Sequence, residues 1–175
     1  MKKEPINIIP KPILLQSSGL LFDLLSIKSI SIENNFSSER KIAEMFKNYL
    51  EPISQLKINH EKKHLKNTIH ISLDSKHNMD KEAYTLNIGD KNSIKLQASS
   101  EPGLFYGFQS FRQLCNADLE KKIKPKNTTI SYCNIKDKPS FSYRGMHLDV
   151  SRHFFNVEFV KTYIDMIALH KMNVF

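Results

Sequence analysis

Apolar positions along the 175-residue chain change period several times, and each change marks an element. Between residues 6 and 36, short apolar runs at 6–9, 13–15, 20–25 and 27–32 are broken by Pro, Ser and Gly, a pattern that predicts edge strands and hairpins. Ile42, Met45, Phe46, Tyr49, Leu50 and Ile53 then recur at helical spacing. They predict an amphipathic helix of about four turns, with Ser37 and Ser38 at its cap and Glu39 in its first turn. Strand patterns follow at 56–58 and 68–73, separated by a polar, lysine-rich link. A further pair at 83–88 and 94–98 is joined by Gly89-Asp90-Lys91-Asn92, which is turn chemistry.

Ser99, Ser100, Glu101 and Pro102 open a second helix whose stripe is Leu104, Phe108, Phe111, Leu114 and Cys115, and a last strand is expected at 128–135. Strands, helix, strands, helix, strand is an α+β order, one sheet with two helices against it. Charge, a proline and a change of pattern coincide at Lys136-Asp-Lys-Pro139, the best linker candidate, which divides the chain into residues 1–139 and 140–175. Beyond it, 143–150 reads as a strand and Asn156 as the cap of a third helix that buries Val157, Val160, Ile164, Ile167 and Ala168. Residues 173–175 look like the start of another strand.

Composition narrows the classes of function. The net charge of +8 comes from 26 basic and 18 acidic residues, but lysine is spread along the chain and only Arg40, Arg112, Arg144 and Arg152 are arginines. A nucleic-acid surface concentrates basic residues with stacking aromatics, and no stretch here does so. Cys115 and Cys133 lack zinc-knuckle spacing and read as buried free thiols. No run approaches the length of a membrane span, and Pro5, Pro10 and Pro12 interrupt the place where a secretory signal would carry its apolar core.

Two constellations carry candidate chemistry. His60-Glu61-Lys62-Lys63-His64 spells the H-E-x-x-H zinc motif, which works when a helix puts both histidines on one face beside the glutamate. Its flanks (Lys57, Asn59, Lys66, Asn67) offer no apolar face to bury such a helix, so an exposed polar loop is expected, with His70 in a separate strand. The second constellation is Asp149, Ser151, Arg152 and His153, where a strand ends and a helix begins. Groups there lie on the rim at which parallel sheets and barrels bind ligands. Arg152 offers a fork of donors suited to a diol or a carboxylate; equally, Asp149 and Arg152 would form an ion pair that fixes the turn. His147 reads as a partnered core or barrel-wall histidine, and Arg144 with Gly145 as belonging to the opposite, stabilising end of the strand.

The stretch Arg144-Gly-Met-His-Leu-Asp-Val-Ser-Arg-His-Phe-Phe155, with Ala168-Leu-His-Lys-Met-Asn-Val-Phe175 after it, resembles the opening of the catalytic barrel in glycoside hydrolase family 20, the β-N-acetylhexosaminidases. The stretch from Ile94 to Leu114 looks like the signature helix of that family's small amino-terminal domain. The resemblance implies a zincin-like α+β domain that binds no metal, then the first βα unit of a truncated (β/α)8 barrel, and no cofactor. It implies exo-hydrolysis of terminal N-acetylhexosamine from glycans, of chitooligosaccharide, glycoprotein or glycolipid type, with retention and attack by the substrate's own acetamido group. Arg152 would grip sugar hydroxyls and Asp149 would be its partner or a second contact. The general-acid glutamate and its aspartate would lie beyond this chain, which is expected to be an inactive fragment. Alternatives are a non-catalytic carbohydrate-binding or interaction module and a zinc protease built on His60, Glu61 and His64.

Overall fold

The computed structural model describes residues 6–63, 65–74 and 80–175, which divide into two compact units, Met1–Lys138 and Pro139–Phe175. The first unit is a mixed seven-stranded sheet with two helices on one face. In chain order its elements are β1 (Leu14–Asp23), β2 (Ser29–Ile32), α1 (Ser37–Leu50), β3 (Lys57–His60), β4 (Thr68–Leu73), β5 (Tyr84–Ile88), β6 (Ile94–Ala98), α2 (Glu101–Leu114) and β7 (Thr129–Asp137). The spatial order is β1-β7-β5-β6-β4-β2-β3. The β1/β7, β7/β5 and β5/β6 pairs are antiparallel, and β6/β4, β4/β2 and β2/β3 are parallel.

Period-2 alternation decides which face is covered. Ile30, Ile32, Ile69, Ile71, Leu86, Ile88, Ile94 and Leu96 are buried, and α1 and α2 pack on the sheet. Between the helices Phe46 meets Phe108 and Phe111 at ring-centroid distances of 4.8 and 4.9 Å, and Tyr49 closes the cluster 5.9 Å from Phe108. Each fully buried aromatic of this kind stabilises the fold by roughly 1.5–3 kcal/mol. Gly103 and Gly107 let α2 approach the sheet closely, since a Cβ at either would strike Ala83 and Ala98, or Leu96 and Tyr84.

Two expectations for this unit need correction. The region before α1 supplies one edge strand, β1, but β2 is internal, hydrogen-bonded on both sides to parallel neighbours. The α1 cap is Phe36 rather than serine, and the Glu39 side chain at the third helical position reaches back to accept from the Phe36 N–H at 3.2 Å.

The second unit holds one helix, α3 (Val157–Leu169), capped by Asn156, whose Oδ1 accepts from the Phe159 N–H at 2.8 Å. The strand expected at 143–150 is absent: a single parallel bridge joins Gly145 to Val174. A parallel strand draws every ladder bond from its neighbours, and the described residues of this unit offer it only that bridge. For the same reason the α3 stripe is largely uncovered; Ile167 is buried, but Val157 and Ile164 are exposed. Arg144 ties the unit together, donating from Nε to the Lys171 carbonyl (2.9 Å) and from Nη1 to that of Phe141 (2.7 Å). No helix among the described residues is long and apolar enough to cross a membrane.

Candidate functional site

The turn between the bridged segment and α3 carries Asp149, Ser151, Arg152 and His153. Asp149 organises it. Its Oδ1 accepts from the backbone N–H of Ser151 at 3.0 Å and of Arg152 at 3.3 Å, and its Oδ2 is paired with Arg152 Nη1. An aspartate that captures the amides two and three residues ahead is an Asx-type turn, and it sets the direction in which the chain enters the helix. Those two N–H groups, more than the guanidinium, hold the Asp149 carboxyl below the usual carboxylate range, so it is ionised at neutral pH.

The structural half of the sequence expectation, an Asp149–Arg152 pair fixing the turn, is therefore present. It does not exhaust Arg152. The side chain is 82% exposed and commits one nitrogen to Asp149, while the guanidinium has five N–H donors in a planar fork. What is left can hydrogen-bond hydroxyl or carbonyl oxygens of a bound molecule. Ser151 and His153 are exposed beside it. His147 departs from expectation: it is exposed rather than set in a wall, and its carbonyl accepts from the Tyr163 hydroxyl at 3.2 Å. A run of rings, Phe155 on Phe159 (4.5 Å) and Tyr163 near Phe175 (5.4 Å), lies along α3.

The H-E-x-x-H segment does not form the helix its chemistry requires. His60 ends strand β3, its Nε2 lies 3.0 Å from the Glu33 carbonyl, the Glu61 N–H still donates to the Ile32 carbonyl at 3.0 Å, and the chain bends at 62–63; His64 lies outside the described residues. His70 is engaged elsewhere, with Nδ1 2.9 Å from Ser31 Oγ and Nε2 3.6 Å from Glu33 Oε2, deep between β2 and β4. Burial lowers its pKa from the ordinary histidine value, with Glu33 opposing and Lys95 reinforcing the shift. Ser31, His70 and Glu33 resemble a nucleophile–base–acid series, but Ser31 is 1% exposed, so no substrate reaches it. Among the described residues no group of three or more His, Cys, Asp or Glu side chains is arranged to hold a metal ion.

Sequence reasoning missed this trio, of which Ser31 and His70 are buried and Glu33 is half-buried. Its only signal was one polar residue between apolar ones in each strand, Ile30-Ser31-Ile32 and Ile69-His70-Ile71, which shows a shared face but not which strands are neighbours.

Two family models match the chain in succession: "Glycosyl hydrolase family 20, domain 2" over residues 5–138, and "Glycosyl hydrolase family 20, catalytic domain" over residues 141–175. A β-hexosaminidase of Porphyromonas gingivalis is 34% identical over 97% of this chain and 22% of its own length; one from Vibrio furnissii is 31% identical over 97% and 26%. Among solved structures, the GH20 β-N-acetylhexosaminidase of Streptomyces coelicolor A3(2) superposes with a TM-score of 0.83 at 30% identity, covering 95% of this chain and 33% of that one. A mutant Streptomyces plicatus β-hexosaminidase in complex with its product GlcNAc gives 0.82 at 27% identity, covering 98% and 35%. The chain thus spans between 22% and 35% of the length of these relatives.

Proposed function

Because the chain belongs to glycosyl hydrolase family 20, we propose that it carries the small α+β domain and the opening of the catalytic domain of an exo-acting β-N-acetylhexosaminidase. Residues 140–175 supply the first βα unit of its (β/α)8 barrel, the strand at 143–150 forming when neighbouring barrel strands complete its ladder, with the 149–153 turn on the rim where such barrels bind ligands. Arg152 grips hydroxyls of the terminal N-acetylhexosamine, and Asp149 positions it or makes a second contact. The reaction is retaining and substrate-assisted: the acetamido oxygen of the sugar attacks the anomeric carbon while a glutamic acid protonates the leaving group. That glutamate and the aspartate that orients the acetamido group come from a later barrel strand, so residues 1–175 alone are inactive.

The observation that carries this reading is the succession of two domains of one family along the chain, with Asp149 and Arg152 at the turn that opens the second. The test has two arms. Purified residues 1–175 give no turnover of an aryl N-acetyl-β-glucosaminide. Grafted in place of the matching segment of the Porphyromonas gingivalis relative, residues 139–175 support turnover, and Arg152→Ala lowers kcat/KM about 100-fold, the value of one or two charge-assisted hydrogen bonds at about 1.4 kcal/mol per tenfold. Turnover by the chain alone, or an Arg152→Ala graft as active as its parent, would overturn it.

A further inference from the structure

The two faces of the seven-stranded sheet are chemically unlike. Directly paired residues on neighbouring strands point to the same side, so the register can be read across the sheet. Asn134, Asn87, Lys95, His70 and Ser31 stand in one row across β7, β5, β6, β4 and β2. The next row holds Lys136, Thr85, Gln97 and Ser72. This is the face that α1 and α2 do not cover, and it is polar throughout these rows.

Over β5, β6 and β7 the same face forms a hollow of about 470 Å³, within the size range of small-molecule sites, lined by Thr85, Asn87, Lys95, Gln97, Asn134 and Lys136, with Asp90 at one end. Among the described residues none of these six side chains has a hydrogen-bonding or ion-pairing partner in the protein. Five of the six are half-buried. Three carboxamides, a hydroxyl and two ammonium groups therefore converge on one space without a partner among the described residues.

Their chemistry selects a ligand class. Lys95 and Lys136 stand on β6 and β7 with β5 between them and one row apart, so their Cα atoms are about 12 Å apart by ordinary strand spacing and rise. They flank the hollow from opposite corners and favour an anion there. The carboxamide oxygens of Asn87, Gln97 and Asn134 are acceptors, and a bare oxyanion offers them nothing; they need ligand O–H or N–H groups. Among the described residues no aromatic ring lines the hollow, which disfavours bases and stacking ligands, and two lysines are too few to track a nucleic-acid backbone.

We propose that the β5–β6–β7 part of this face binds an acidic saccharide, a polyhydroxylated ring bearing a carboxylate or sulfate: the anion lies against Lys95 and Lys136, and the ring hydroxyls bond to Asn87, Gln97, Asn134 and Thr85. The site is on the first unit and involves neither Asp149 nor Arg152, so its test is independent of the glycosidase reading.

The experiment is a titration of the ¹⁵N-labelled 175-residue chain, followed through the side-chain amides of Asn87, Gln97 and Asn134. The probes are D-glucuronate and N-acetylglucosamine 6-sulfate, with N-acetylglucosamine and inorganic sulfate as the neutral and bare-anion arms. One or both acidic sugars shift these amides, at least tenfold more tightly than either control, and whichever binds identifies the anion. Lys95→Gln/Lys136→Gln, with an otherwise unchanged spectrum, weakens binding at least tenfold. Absence of shifts with both acidic sugars, shifts centred elsewhere, equal binding of either control, or undiminished binding by the double variant would overturn the proposal.

Discussion

Gly103 and Gly107 face the sheet from one helix, yet alanine should behave differently at each. Alanine gains up to about 1 kcal/mol over glycine inside a helix, and less in the first turn, where Gly103 sits. Against that stands overpacking, typically 1–3 kcal/mol. A Cβ at Gly103 would collide with the Ala83 carbonyl oxygen and come 2.9 Å from the Ala98 Cβ, neither of which can rotate away. The cost is then near the top of that range, and Gly103→Ala destabilises by about 2 kcal/mol net. At Gly107 the obstacle is the end of the Leu96 side chain, with Tyr84 Cδ2 next at 3.1 Å. Leu96 can change rotamer, so gain and cost nearly cancel and Gly107→Ala stays within about 1 kcal/mol of the parent. Thermal unfolding followed by circular dichroism should show a drop of about 4–8 °C for Gly103→Ala and at most about half of that for Gly107→Ala. Equal melting temperatures for Gly103→Ala and the parent, or a larger loss at Gly107, would refute the claim that backbone contact at Ala83 sets the helix–sheet distance.

Two further outcomes follow from buried polar groups. Glu39, with no solvent exposure, accepts from Asn34 N (3.0 Å), Asn34 Nδ2 (3.1 Å), Phe36 N (3.2 Å) and Leu73 N (2.8 Å); Glu39→Ala strands these donors and should lower unfolding stability in urea by about 4 kcal/mol, whereas a loss below about 1 kcal/mol would show that water replaces the carboxylate. His70 takes up a proton less readily folded than unfolded because burial lowers its pKa, with Glu33 and Glu39 opposing and Lys95 adding to the effect; stability is therefore full above about pH 6.5 and falls as pH drops below it, and His70→Asn should flatten the urea midpoint between pH 7 and pH 5 relative to the parent.

The elements that could be read from the sequence are those whose signals are local. The Gly89-Asp90-Lys91-Asn92 turn announces the β5–β6 hairpin, with Gly89 at φ 114°, and the stripes through Phe46 and Phe108 announce α1 and α2. The position of β2 could not be read that way: Ser29–Ile32 is short, and nothing within it says that its neighbours are β3 and β4, 28 and 39 residues onward in register. At the candidate site the turn itself was legible, since an aspartate two and three residues ahead of Ser151 and Arg152 has amides within its reach. The surroundings were not. Alternation at 143–150 and the α3 stripe are statements about buried faces, and a pattern in sequence cannot supply the neighbouring strands and helices that would cover them.

The pairing of Arg152 with Asp149 bears directly on the proposed sugar contact, because the two readings of this pair are compatible rather than exclusive. A free arginine on an exposed turn samples many rotamers, and ordering it on a ligand costs side-chain entropy, up to about 2 kcal/mol. Asp149 spends Oδ1 on the backbone of Ser151 and Arg152, which fixes the turn, and Oδ2 on a single guanidinium nitrogen, which limits the sweep of the side chain while leaving its other donors outward. The ion pair then acts as preorganisation: part of the ordering is complete before any ligand arrives. On this argument Asp149 is a positioning residue for Arg152 whether or not it touches the substrate itself. That is why an aspartate three residues before the arginine, rather than one farther along a strand, suits a hydroxyl clamp at this turn.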